Sequence, residues 1–255
     1  YPHTGSMRYN DSFPKIPCCA ISTIGAELLS KKLKNDPKTK FHFEMSCQTL
    51  PDEKSYNVVG EIKGTEHPDE YITIGGHLDS WDQGQGSHDD GAGIVQTLEV
   101  LRTFKALGIK PKRTIRFVMF MNEENGERGA EKYAELAKLN HENQIAAIES
   151  DAGGFTPRGF GVDGKPEQKK KRTVGAKFLV LDGSDDFSST EGGEDIEPLK
   201  KQGTVMLGLM PDSQRYFDIH HTAADTFDKV NKRELELGAA GMAMMTYLLA
   251  EYGVN

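Results

Sequence analysis

From residue 71 onward the chain alternates short apolar runs with amphipathic stretches of helical period. Tyr71 to Gly75 is almost continuously apolar, which predicts a central strand buried on both faces. Ala92 to Leu107 predicts a helix stopped by Gly108 and Pro111. Thr114 to Met121 then reads as a strand, Gly129 to Leu139 as a helix and Ile145 to Ile148 as a strand. That order predicts an α/β fold, a mostly parallel mixed sheet flanked by helices on both faces.

The flanking regions carry weaker signals. Ile24, Leu28, Leu29 and Leu33 fall at helical spacing within Thr23 to Lys34, with Ser22 available as a cap. Phe41, Phe43, Met45 and Cys47 alternate with polar residues, the period of a half-buried strand that would rejoin the sheet, and Tyr56 to Ile62 reads as a further strand. Between Gly153 and Gly203 the pattern predicts irregular strands, loops and one short helix near Ile196 to Lys201. Thr204 to Leu209 reads as a strand and Lys232 to Tyr252 as a long closing helix.

A chain of 255 residues is long enough for one sizeable core. With 39 acidic against 31 basic residues its formal charge is −8, which argues against nucleic acid or an anionic membrane surface as the main partner. The one basic block, residues 169 to 172, reads as a solvated loop. The longest mostly apolar stretch, Gly238 to Ala250, falls short of the ~20 residues a membrane span needs. Cys18 and Cys19 are adjacent and Cys47 stands alone, so no zinc-ribbon or redox spacing exists. The opening Tyr1-Pro2-His3-Thr4-Gly5 carries no visible targeting signal, as a processed chain also would not.

Candidate chemistry collects where strands end or helices begin. His77 follows a buried strand and two glycines, and in extended geometry Asp79 lies on the same side, as a carboxylate behind the imidazole. Asp89 and Asp90 precede Gly91-Ala92-Gly93 at a helix start; such a pair reads either as an N-cap or as a carboxylate able to bridge two cations. Glu123 and Glu124 are adjacent at the end of an apolar strand. Because neighbouring side chains diverge, one can ligate a metal while the other faces a water. Asp151 follows another strand, and His221 belongs to a His-Thr-x-x-Asp-Thr turn.

Taken together, GGHLDSWDQGQGSHDDGAG, KPKRTIRFVMFMNEENGERGA, ESDAGG and FDIHHTAADT resemble the co-catalytic di-zinc exopeptidases, the family of secreted bacterial aminopeptidases and glutamate carboxypeptidases, and its plasma glutamate carboxypeptidase branch most of all. The resemblance implies two Zn²⁺ per chain, one held by His77 and Asp151, the other by Glu124 and His221, with Asp89 bridging. It further implies Glu123 as general base, Asp79 behind His77, and an oxyanion donor that is either His220, which we favour, or Tyr216. A mix of imidazole and carboxylate ligands suits zinc independently.

The expected activity is hydrolysis of the peptide bond of dipeptides or short peptides, with a peptide substrate as partner and a homodimer as an option. An extracytoplasmic location, periplasmic or secreted, is implied by the resemblance alone. Residues 1 to 36 resemble the closing part of a protease-associated lid domain, and 37 to 255 the peptidase catalytic domain. Two other readings stand beside this one: a single-zinc acyltransferase of the glutaminyl cyclase type, and a non-catalytic interaction module like the transferrin receptor ectodomain.

Overall fold

Strands β1 (Val58–Ile62), β2 (His67–His77), β3 (Arg113–Phe120), β4 (Asn143–Glu149), β5 (Pro157–Asp163) and β6 (Val205–Pro211) form one sheet in the order β1-β3-β2-β4-β6-β5. The structure is a computed structural model that describes residues 1–164, 177–181 and 183–254; the basic block at 169 to 172 lies outside these. The inner strands β3, β2, β4 and β6 run parallel, and the edge strands β1 and β5 pair antiparallel with their neighbours.

The period of two along each strand sorts the core onto two faces. Ile72, Ile74, Ile115, Phe117, Ile148 and Leu207 meet Val100 and Phe104 of helix α2 (Gly91–Ala106) and Met242 and Met245 of the closing helix, Lys232–Tyr252. On the opposite face Val118, Phe120, Ala147 and Met206 meet Ala130, Tyr133, Ala134 and Ala137 of helix α3 (Arg128–Leu139), together with Ile196 and Leu199 at the 3₁₀ turn Glu197–Gln202. Helices thus cover both faces, as the alternation predicts. The alanines recur one or two turns apart and present α3 to the sheet as a low, narrow apolar stripe.

Of two upstream expectations, one is met and the other is not. The helix α1 (Thr23–Asn35) forms, and Ser22 caps it by accepting the Gly25 N–H at 3.1 Å. Its apolar stripe nevertheless buries nothing: Ile24 is 79 % and Leu28 56 % exposed. The strand predicted at Phe41 to Cys47 is absent. Phe41, Phe43 and Met45 are exposed, and the two Phe rings lean on each other at 5.7 Å. Alternation makes a strand only where an edge accepts its hydrogen bonds, and the sheet ends at β1. The two strands that follow this region are also shifted: the Tyr56 to Ile62 strand starts at Val58, and the Tyr71 to Gly75 strand extends to His67 and His77.

Candidate metal centre

The parallel strands end on one edge of the sheet, where ligands gather in open α/β folds. His77 is the last residue of β2, Glu123 and Glu124 follow β3, Asp151 follows β4, and Asp89 sits just before α2. His221 follows the 3₁₀ turn Ser213–Asp218 that succeeds β6. Five separate segments therefore deliver one cluster of side chains.

The centre of that cluster is Asp89. Its Oδ1 lies 3.3 Å from His77 Nε2, and its Oδ2 lies 3.2 Å from His221 Nε2. His77 Nε2 is also 3.3 Å from Asp151 Oδ1, and His221 Nε2 is 3.1 Å from Glu124 Oε2. One carboxylate thus faces two separate donor sets. Ligand atoms at the usual zinc distances, placed tetrahedrally, stand about 3.3 Å apart, and the observed separations match.

Four buried atoms, His77 Nε2, Asp89 Oδ2, Glu124 Oε1 and Asp151 Oδ1, have no hydrogen-bond partner. Unpaired buried polar atoms are costly unless something satisfies them, and a pair of divalent cations would satisfy all four. Three trios, Asp89-His220-His221, His77-Asp89-Glu124 and His77-Asp90-Asp151, have donor atoms within 4.8 Å of one another. Two of these include residues not expected as ligands, His220 and Asp90.

The imidazoles are oriented by main-chain carbonyls. His77 Nδ1–H donates to the Asp79 carbonyl at 2.8 Å, and His221 Nδ1–H to the Thr4 carbonyl at 3.1 Å. Carbonyls only accept, so each ring carries a proton on Nδ1 and turns Nε2 into the cluster, the nitrogen that would face a metal ion. The Asp79 carboxylate behaves differently from its expected role behind His77, standing 3.9 Å from that ring. It instead accepts the backbone N–H groups of Asn122, Glu123 and Glu124 at 2.7, 3.1 and 3.3 Å, fixing the turn that carries both glutamates. Asn122 within this turn has φ 74°, and His221 has φ 54°, left-handed values that side-chain-bearing residues rarely adopt outside constrained sites.

Asp225 holds Asp89 from behind, and Asp90 ties His77 to the start of α2. Asp90 caps α2 by accepting the Gly93 N–H at 3.0 Å and also accepts the His77 N–H at 3.1 Å. Both of its oxygens are therefore engaged by backbone. Asp225, the acid of the His-Thr-x-x-Asp-Thr turn, accepts the N–H groups of His88 at 2.8 Å and Asp89 at 3.1 Å. Two glycines make the approach possible: a Cβ at Gly76 would stand 2.1 Å from Asp90 Oδ2, and one at Gly93 would stand 1.9 Å from the Ser150 carbonyl.

Electrostatics divide these groups by role. Burial opposes charge on His77 and His221, but the adjacent Asp151 and Asp89 carboxylates raise the first, and Asp89 and Glu124 raise the second to about 10. Burial works against ionising Asp89 as well, and its two imidazole neighbours outweigh that and hold its pKa low. In contrast, burial and then the charge of Asp151 push the Glu123 carboxyl up to about 7, the range of an effective acid–base group at neutral pH. His220, stacked on His221 with ring centroids 3.6 Å apart, is pulled down to about 4 by burial and then by that neighbour's charge. It is thus a neutral imidazole that can donate. Tyr216, the alternative oxyanion donor, is buried with its ring 4.9 Å from that of His220, and both line the same cavity.

Some participants had no signature in the sequence. Thr4 belongs to a segment far upstream of the motifs, yet its N–H also donates to the His221 carbonyl at 2.8 Å. Asp195 is buried with neither carboxylate oxygen bonded, and burial raises its pKa to about 8.

The chain was compared with known proteins. The sequence profile described as peptidase family M28 matches residues 57–246. Carboxypeptidase Q of Mus musculus is 37 % identical over 251 residues, 98 % of this chain and 53 % of that protein, so the chain spans about half the length of the relative it matches. A peptidase M28 precursor from Shewanella amazonensis superposes with a TM-score of 0.88 at 32 % identity, covering all of this chain (100 %) and 58 % of that one. A zinc aminopeptidase from Bacillus subtilis shares the fold with a TM-score of 0.63 at 19 % identity, over 76 % of this chain and 50 % of its own.

Proposed function

The chain belongs to peptidase family M28, and on that premise we propose that it is a di-zinc exopeptidase that hydrolyses dipeptides or short peptides. The observation that carries the reading is Asp89, whose two oxygens face His77 on one side and His221 on the other. His77 and Asp151 would hold one zinc, Glu124 and His221 the other, and Asp89 both. Zinc in such a site makes water acidic near neutrality and polarises a carbonyl oxygen.

The protein's own part is to place and move protons. Glu123 takes a proton from the attacking water and returns it to the leaving amine, for which a pKa near neutral is suited. Asp79 holds Glu123 and Glu124 in one turn, so base and ligand keep a fixed offset. Neutral His220 donates to the developing oxyanion. In this reading residues 1 to 36 correspond to the closing part of a lid domain, residues 37 to 255 form the catalytic domain, and the enzyme works outside the cytoplasm. No helix among the described residues is long and apolar enough to cross a membrane.

Elemental analysis of protein purified without chelators should find two zinc ions per chain. Hydrolysis of a dipeptide library with free and capped termini should then give activity that follows zinc content. One metal per chain with cyclisation of N-terminal glutamine would favour the acyltransferase reading, and full zinc without turnover the interaction module.

A further inference from the structure

We propose that Arg8 anchors the free C-terminal carboxylate of the substrate, so that the site reads carboxyl ends; the proposal rests on the exopeptidase reading above. A cavity of about 400 Å³, within the range of small-molecule sites, is lined by Asp89, Glu123, Asp151 and His221 and also by Ser6 and Arg8. Arg8 is exposed and, among the described residues, has no carboxylate partner. No other Lys or Arg among them lines the cavity, whose remaining carboxylates, Glu124, Glu127 and Glu194, are acidic. Apart from the histidines and the proposed metal ions, Arg8 is the cation that an incoming carboxylate meets on this lining, and its planar fork matches a carboxylate with two parallel hydrogen bonds.

The segment is held in place by the site itself. Thr4, four residues before Arg8, exchanges two hydrogen bonds with His221, at 2.8 and 3.1 Å. Ser6 Oγ reaches Asn125 Oδ1 at 3.5 Å, one residue past Glu124. The same stretch of chain therefore orients a ligand candidate and brings a cation to the wall of the cavity that the proposed ligands line. From an anchor at Arg8 the substrate extends towards Glu123 and Asp151, with its scissile bond near the carboxyl end.

The test compares hydrolysis of Ala-Leu with that of Ala-Leu amide by the zinc-loaded protein, its Arg8→Ala variant and its Arg8→Lys variant. Unmodified protein should prefer the free acid. Arg8→Ala should lower kcat/KM on the acid by about 10- to 100-fold, mainly through KM, and change the amide by less than about threefold. Arg8→Lys should recover part of the loss. Equal losses on acid and amide, or no loss on the acid, would overturn the assignment while leaving the exopeptidase reading intact. If neither compound is hydrolysed, the exopeptidase reading fails, and calorimetric titration with the reduced-amide isostere of Ala-Leu, as acid and as amide, still decides the role of Arg8. Tighter binding of the acid that disappears in Arg8→Ala supports it; equal binding, or binding of neither, overturns it.

Discussion

The carboxylate of Asp79 accepts the backbone N–H of Glu123 at 3.1 Å and holds Asn122 and Glu124 in the same grip. One acid on the loop after β2 therefore sets the position of both glutamates after β3. Asp79→Ala should loosen the turn, weakening binding of the metal proposed at Glu124 and His221 about 10- to 100-fold, as is usual when a ligand's support is removed. The metal at His77 and Asp151 should be less affected, because His77 is oriented by the Asp79 carbonyl, which the variant keeps. Zinc titration of the variant checks this, and preferential loss at His77 would restore the imidazole-orienting role for the carboxylate.

Glu123→Gln removes the proton acceptor and leaves every proposed ligand in place. Zinc content should stay at the level of the unmodified protein, and kcat should fall by ~10²–10⁴-fold. Parallel loss of metal and activity in a dialysed sample would make Glu123 a ligand.

Asp89→Ala and Asp90→Ala should fail in different ways. The first takes one ligand from each donor set and should abolish tight binding of both metals. The second removes the cap of α2 and strands the His77 N–H, both buried, so its main cost should be folding stability, on the order of 1–3 kcal/mol. Denaturation midpoints and zinc titration on the two variants separate these outcomes, and an unchanged midpoint in Asp90→Ala would contradict the assignment.

Asp195 gives a pH dependence with a definite sign. Burial raises its folded pKa to about 8, well above the ordinary aspartate range of an unfolded chain. The folded state then binds a proton that the unfolded state has already lost, so metal-free protein should lose stability as pH rises from about 4 to about 8, by up to ~1.4 kcal/mol per pH unit. Asp195→Asn should flatten that slope and match the unmodified protein near pH 4. Urea denaturation of chelator-treated samples at several pH values measures both, and identical slopes would mean that Asp195 stays ionised.

Much of this was legible in the sequence because it is written locally. An apolar run that ends in a polar residue marks the strand ends near His77, Glu123 and Asp151, and these lie on one edge once the strands are parallel. The Gly76 and Gly93 approaches follow from the same short segments. What was not legible joins distant parts of the chain: Thr4 with His221, Asp225 with Asp89, Arg8 with the cavity. No periodicity encodes such pairs, since each depends on where two loops arrive after folding. Phe41 to Met45 illustrates the converse, a local pattern that becomes a strand only if another strand receives it.

The proposed ligands run from His77 to His221 through five strand ends and loops, so no excised peptide could hold both ions. In the unfolded chain these groups lie far apart, and drawing them together carries a loop-closure cost that the folded sheet has already met. Bound ions would therefore act as removable cross-links, tying the ends of β2, β3 and β4 to the turn after β6. Chelation then becomes a mechanical event as well as a chemical one: the carboxyl edge loses its ties, and melting temperature becomes a reading of free zinc.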